Sequence, residues 1–105
     1  MASYQVEITK RARREIRSLP EHALQRVFRE IKALQKAPQP PSSRPLNATK
    51  SDIELPSGIE LYRIRLDHWR IVYTVENEVR LITVLAVRKR PPYQYNDLDE
   101  LMESL

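Results

Sequence analysis

Arg63, Arg65, Arg70 and the run Arg88-Lys89-Arg90, with Tyr93 and Tyr95 just beyond, are the residues whose types and spacing could do chemistry. A guanidinium presents a planar fork of donors that matches phosphate oxygens two at a time, and it stays charged at any biological pH. Several such forks around one phosphorus would stabilise the extra negative charge of a pentavalent transition state. A tyrosine beside them can stack on a base or move a proton. RNA brings its own nucleophile, the 2′-OH, so phosphate clamps, a base and an acid would suffice without a metal. For a single tyrosine the favoured reading is the plainer one, a half-buried ring with its hydroxyl in water.

Other chemistries lack their residues. Cysteine is absent, which removes disulfides, thiolate nucleophiles and zinc–thiolate sites and suits a reducing cytoplasm. His22 and His68 are the two histidines, and no set of His, Asp and Glu has metal-ligand spacing, so no metal is expected. Gly58 is the single glycine, so there is no phosphate-cradling loop, and no cofactor is expected. Two scattered histidines give no serine–histidine triad. No apolar run approaches the roughly 20 residues of a membrane helix. The opening MASYQVEITKRARREIRSLP has no apolar stretch of the secretion-signal kind, so a cytoplasmic protein is expected.

Charge points the same way. The chain has 18 Lys and Arg against 14 Asp and Glu, a formal +4. Four of the acids (Asp97, Asp99, Glu100 and Glu103) lie in the last nine residues, which hold no base. Residues 1–96 thus carry 18 bases against 10 acids, a formal +8. A basic body attracts a polyanion such as nucleic acid.

The elements that must position these residues follow from periodicity. Glu60–Leu66 and Trp69–Val75 alternate, as half-buried strands do. A two-residue turn at Asp67-His68 sets Leu66 against Trp69, Ile64 against Ile71 and Tyr62 against Tyr73. The same register sets Arg65 against Arg70 and Arg63 against Val72. A slip of one residue would mix the faces, so the register is well specified. Like charges opposite one another on a sheet repel, so the arginine side costs stability unless an anion or an acid compensates it. The bland alternative is a solvated face screened by salt. After a turn at Glu76-Asn77-Glu78, Val79–Val87 is apolar on both faces and reads as a central strand. Parity does not settle where Arg90 points, because Pro91-Pro92 ends regular pairing.

Upstream, Ser3–Ile8 reads as a first strand and Thr9 as a helix cap. Lys10–Leu19 carries Ala12, Ile16 and Leu19 on one stripe and Lys10, Arg11, Arg13, Arg14 and Arg17 elsewhere, and Pro20 ends it. Glu21–Ala37 carries Leu24, Val27, Phe28, Ile31 and Leu34 as a core stripe. The tight connection implies a helical hairpin. Pro38–Pro45 reads as a loop, since four prolines exclude helix and central strand. Asp97–Leu105 reads as a short acidic amphipathic helix or tail. One domain over 1–105 is expected. Its class is α+β: an N-terminal strand, a helical hairpin, a three-stranded antiparallel meander completing a four-stranded sheet, and a short C-terminal helix.

With LYRIRL, HWRIVYTV and VLAVRKR followed by tyrosine in this order and spacing, and with a basic helical hairpin upstream, the sequence resembles the RelE/ParE superfamily of bacterial type II toxins. The resemblance implies a ribosome-dependent mRNA endonuclease acting in the A site, with mRNA, ribosomal RNA and a cognate antitoxin as partners. Carried over by position, Arg63 and Arg65 match two basic residues of the second strand. Arg70 matches the arginine before the hydrophobic-V-Y segment, and Arg90 the arginine after the last strand. The late tyrosine falls at Tyr93 or Tyr95, with spacing favouring Tyr95. Lys10, Arg13, Arg17, Arg88 and Lys89 are the expected further RNA contacts. Relatives often carry lysines at the first two positions, and arginine cannot serve as a base at neutral pH. A tyrosine or His68 would then move the proton. The alternative within the superfamily is a gyrase inhibitor that acts by binding alone.

Overall fold

Alternation in the second half of the chain and helical periodicity in the first resolve into a five-stranded sheet with two helices on one face. The computed structural model describes residues 3–46 and 57–89. In chain order the elements are β1 (Gln5–Ile8), α1 (Lys10–Arg17), α2 (Glu21–Ala33), β2 (Ser43–Pro45), β3 (Ile59–Leu66), β4 (Trp69–Glu76) and β5 (Leu81–Lys89). The strand order is β1-β5-β4-β3-β2. β1 runs parallel to β5, and the other neighbours are antiparallel. The α+β class holds, but the sheet is mixed and has five strands rather than four. The expected C-terminal helix at 97–105 lies outside the described residues.

The added strand is β2, inside the stretch read as a loop. Ser43, Arg44 and Pro45 pair with Ile64, Arg63 and Tyr62 of β3. Proline excludes a central strand, but an edge strand bonds on one side only, so Pro45 is tolerated there. A short edge carrying a proline also blunts the open rim of the sheet.

Thr9 caps α1 as expected: its hydroxyl accepts from the Ala12 N–H at 3.1 Å. The helix stops at Arg17, two residues early, because Ser18 and Leu19 donate three residues back, to Glu15 and Ile16. α2 likewise stops at Ala33, where Leu34, Gln35 and Lys36 make the same tighter bonds. Ala12, Ile16, Ala23, Val27, Ile31 and Leu34 close over Tyr62, Ile64, Ile71, Tyr73, Val75, Ile82 and Val84. α2 is rotated from the expected stripe. Ala23 is buried, Leu24 half-buried, and Phe28 is 49% exposed. The buried row runs 23, 27, 31, 34, which leaves Phe28 beside it, over a cavity of about 280 Å³ shared with Ile8, Arg13, Ile16 and Arg17.

The β3–β4 register is the one read from the sequence, from Leu66↔Trp69 through Arg65↔Arg70 and Ile64↔Ile71 to Tyr62↔Tyr73. Asp67 in its turn has φ 55, a left-handed conformation that aspartate tolerates better than most residues. An exposed ion pair from Arg26 of α2 to Asp67 ties the helix layer to this turn.

Candidate phosphate-binding face

Residues directly opposite one another on neighbouring strands share a sheet face. Arg65 of β3 lies opposite Arg70 of β4, which lies opposite Arg88 of β5. Two residues along β3, Arg63 lies opposite Val72 on one side and Arg44 of β2 on the other. Five arginines therefore stand on one face, the one turned away from α1 and α2. Two of them, Arg44 and Arg88, come from strands whose contribution the arginine alternation at 63–70 does not reveal.

Arg88 owes its place to a bulge. Val72 pairs with Ala86, but Tyr73 pairs with Val84, so Leu85 is an extra residue in β5. Without it, Val87 would lie opposite Arg70 and Arg88 would turn toward the helices. The bulge reverses the parity of the end of β5, sending Val87 into the helix-side core and Arg88 to the arginine row.

The arginines differ in what holds them. Arg70 is 3% exposed, and its Nη1 donates to the carbonyls of Asp67 (3.0 Å) and Trp69 (2.9 Å), bracing the hairpin turn. Its Nε is buried without a partner, as is the Nε of half-buried Arg63. Arg65 is exposed. Arg44 is exposed, and its Nη1 donates to the carbonyls of Pro41 (3.0 Å) and Ser43 (2.8 Å). Arg88 is half-buried, with its Nε 3.4 Å from the Glu15 Oε2.

Glu15 is a residue that sequence reasoning missed. Beyond Ile8 the chain leaves β1, and the outer rim of β5 must find other partners. The Thr9 N–H donates to the Val84 carbonyl at 3.1 Å, and the Thr9 hydroxyl to the Leu85 carbonyl at 3.4 Å. Glu15 continues this seam: its Oε1 accepts the Val87 N–H at 3.0 Å. One carboxylate thus fastens α1 to β5 and faces Arg88. The available signal was that Glu15 is the one acid in KRARREIR.

The remaining expected site residues are more dispersed. Lys10, Arg13 and Arg17 are exposed on α1, in the layer on the far side of the sheet. Exposed Lys89 pairs with Trp69, whose side chain packs toward the helix-side core. His68 lines a small cavity with His22, Ala23, Arg26 and Trp69, also on the helix side. Arg90, Tyr93 and Tyr95 lie outside the described residues. Tyr62 and Tyr73 stack at 5.8 Å within the core, away from the arginines. The Tyr73 hydroxyl donates to the Pro38 carbonyl at 2.8 Å, and burial pushes its pKa up to about 12. Burial also raises that of Tyr62, with nearby Glu60 adding to it. Among the described residues, no group of three or more His, Cys, Asp or Glu could hold a metal ion, and no helix is long and apolar enough to cross a membrane.

Solved structures similar to this one include chains of toxin–antitoxin systems. The chain is similar to a chain of the archaeal RelE–RelB complex from Pyrococcus horikoshii, at 26% identity and a TM-score of 0.72, over 89% of this chain and 100% of that one. It is similar at 27% identity to a chain of the RelBE2 toxin–antitoxin complex from Mycobacterium tuberculosis, with a TM-score of 0.66 over 84% of this chain and 99% of that one. The isolated E. coli RelE toxin shares the fold at 19% identity, with a TM-score of 0.63 over 94% and 98% of the two chains. No curated protein sequence matches the chain. The family described as the ParE toxin of the type II toxin–antitoxin system parDE matches residues 6–91. That span runs from within β1 to beyond β5 and holds α1, α2 and the five arginines, and the chain belongs to this family of toxins, within the RelE/ParE superfamily.

Proposed function

We propose that this toxin cuts mRNA in the ribosomal A site without a metal, using the RNA 2′-OH as nucleophile. The observation that supports this reading is the row of arginines held in register on one sheet face, Arg65–Arg70–Arg88, with Arg63 beside it. The 2′-oxygen attacks the adjacent phosphorus and the bond from phosphorus to the 5′-oxygen breaks. The products are a 2′,3′-cyclic phosphate and a free 5′-hydroxyl. Arg65 clamps the oxygens of the scissile phosphate and Arg63 those of the backbone beside it, while Arg70 and Arg90 stabilise the charge that builds at the reacting phosphorus. A guanidinium cannot take the 2′ proton. His68 lies among helix-side residues, so the proton-transfer role goes to Tyr95 or Tyr93. Lys10, Arg13, Arg17, Arg88 and Lys89 hold the surrounding RNA. The site has few groups able to act as both acid and base, so the ribosome must supply part of the alignment. The protein works in the cytoplasm and is held inactive by a cognate antitoxin.

A second reading has an observation of its own. Arginines stand at 63 and 65 where relatives that cleave RNA often carry lysines, and the matching family description is that of ParE. On this reading the toxin inhibits DNA gyrase by binding. Programmed ribosomes separate the two. Cuts inside the A-site codon, lost by more than tenfold in R65A, support cleavage. Intact mRNA together with inhibited supercoiling supports the gyrase reading and refutes cleavage.

A further inference from the structure

We propose that Arg44 and Arg63 form a second phosphate subsite, next to the one that holds the scissile phosphate. The proposal rests on the RNA reading above and assigns a role to Arg44, which no motif marks. β2 brings Arg44 opposite Arg63 on the arginine face. Arg63 and Arg65 are two residues apart on β3, so the Arg44–Arg63 pair lies about 6.6 Å along the strand from the Arg65–Arg70–Arg88 row. That step is close to the spacing of successive phosphates along an extended RNA strand. The Arg65 end of that row would take the scissile phosphate and the pair would take its neighbour.

The two side chains suit an anion rather than each other. Like charges directly opposite destabilise a sheet pair. No carboxylate pairs with Arg44 or Arg63 among the described residues. The Nε of Arg63 is buried with no partner. Arg44 is held by one nitrogen on the carbonyls of Pro41 and Ser43, which fixes the guanidinium while its Nη2 stays available. A guanidinium pre-placed in this way loses little freedom when a phosphate arrives.

The test uses the full chain and a short RNA whose scissile nucleotide is 2′-deoxy, so that binding is read without cleavage. Fluorescence anisotropy across a salt series gives the affinity and the number of phosphates engaged. Wild type should show two successive linkages at which a neutral methylphosphonate weakens binding about tenfold, the size of one charge-assisted contact. R44A should lose about the same factor, lower the salt slope by about 0.7, and become insensitive to the methylphosphonate at one of the two linkages. Three results overturn the subsite: a single sensitive linkage in wild type, an unchanged salt slope in R44A, or no RNA binding by wild type at low salt. The wild-type linkage scan decides the matter even if R44A folds poorly. Cleavage on programmed ribosomes is followed in parallel. Intact mRNA there, with the two-linkage pattern retained, refutes the nuclease reading and leaves the subsite standing.

Discussion

Glu15 offers the sharpest measurement of how the fold supports the arginine row. In E15A the Val87 N–H, on a residue 3% exposed, loses the charged acceptor 3.0 Å away. A hydrogen bond to a charged group contributes about 1.5–3 kcal/mol, and among the described residues β1 pairs with β5 only as far as Val84, so no strand replaces it at Val87. The Arg88 contact is longer, 3.4 Å, and its side chains are 13% and 25% exposed, so it adds about 0.5 kcal/mol. E15A should therefore cost about 2–3 kcal/mol. E15Q keeps an oxygen for the Val87 N–H and loses only the charge, so it should cost about 1 kcal/mol. Urea unfolding followed by the fluorescence of Trp69, the single tryptophan, reads both. With a slope of about 1–3 kcal/mol/M, the E15A midpoint should fall by about 1 M or more at unchanged slope. An E15A midpoint equal to wild type would refute the claim that this carboxylate fastens α1 to β5. Equal losses in E15Q and E15A would refute the division between backbone and guanidinium.

Three further outcomes follow from particular side chains. R70A should lose about 2 kcal/mol because it leaves two turn carbonyls without their donor, whereas exposed R65A should lose nothing and gain up to about 0.5 kcal/mol; equal melting curves would contradict their unequal burial. Y73F should lose about 1 kcal/mol with its bond to Pro38. The Tyr73 hydroxyl is raised from 10.0 to about 12 in the folded chain, so the unfolded chain ionises first. The stabilisation is complete below pH 10 and declines toward pH 12 by up to about 1.4 kcal/mol per unit. Urea midpoints of wild type minus Y73F should narrow and then change sign over that window, and a constant difference would refute the assignment. Gly58 has φ 84 and open space where a Cβ would go, so G58A should cost only the backbone term, about 1 kcal/mol, or about 4 °C in melting temperature.

The parts of the molecule that were legible are those in which residue type and strand parity agree. In the β3–β4 hairpin, apolar residues match apolar residues and arginine matches arginine in one register only, so the pairing could be read in full. Three features were hidden, each for its own reason. β2 was hidden because proline argues against a strand, and only the position at the edge of the sheet cancels that objection. The place of Arg88 was hidden because a one-residue bulge at Leu85 reverses parity, and nothing in VLAVRKR marks which residue is extra. The exposure of Phe28 was hidden because Ala23 begins a second apolar row, 23, 27, 31 and 34, that overlaps the expected one, and it is this row that is buried.

Arginines crowded on one face set local preference against the rest of the fold, and natural sequences keep such conflicts few. Two of the five are turned to structural use: Arg70 braces the hairpin turn through Asp67 and Trp69, and Arg88 meets Glu15 at the seam with α1. Arg44, Arg63 and Arg65 have no acidic partner among the described residues. A purely structural patch would gain from losing any of these three charges, because repulsion falls and no contact to an acid is lost. A phosphate-binding patch would gain stability from the same change and lose RNA. The double readout, melting temperature rising while RNA affinity falls in R65A, separates a functional conflict from a neutral surface, on which neither would move.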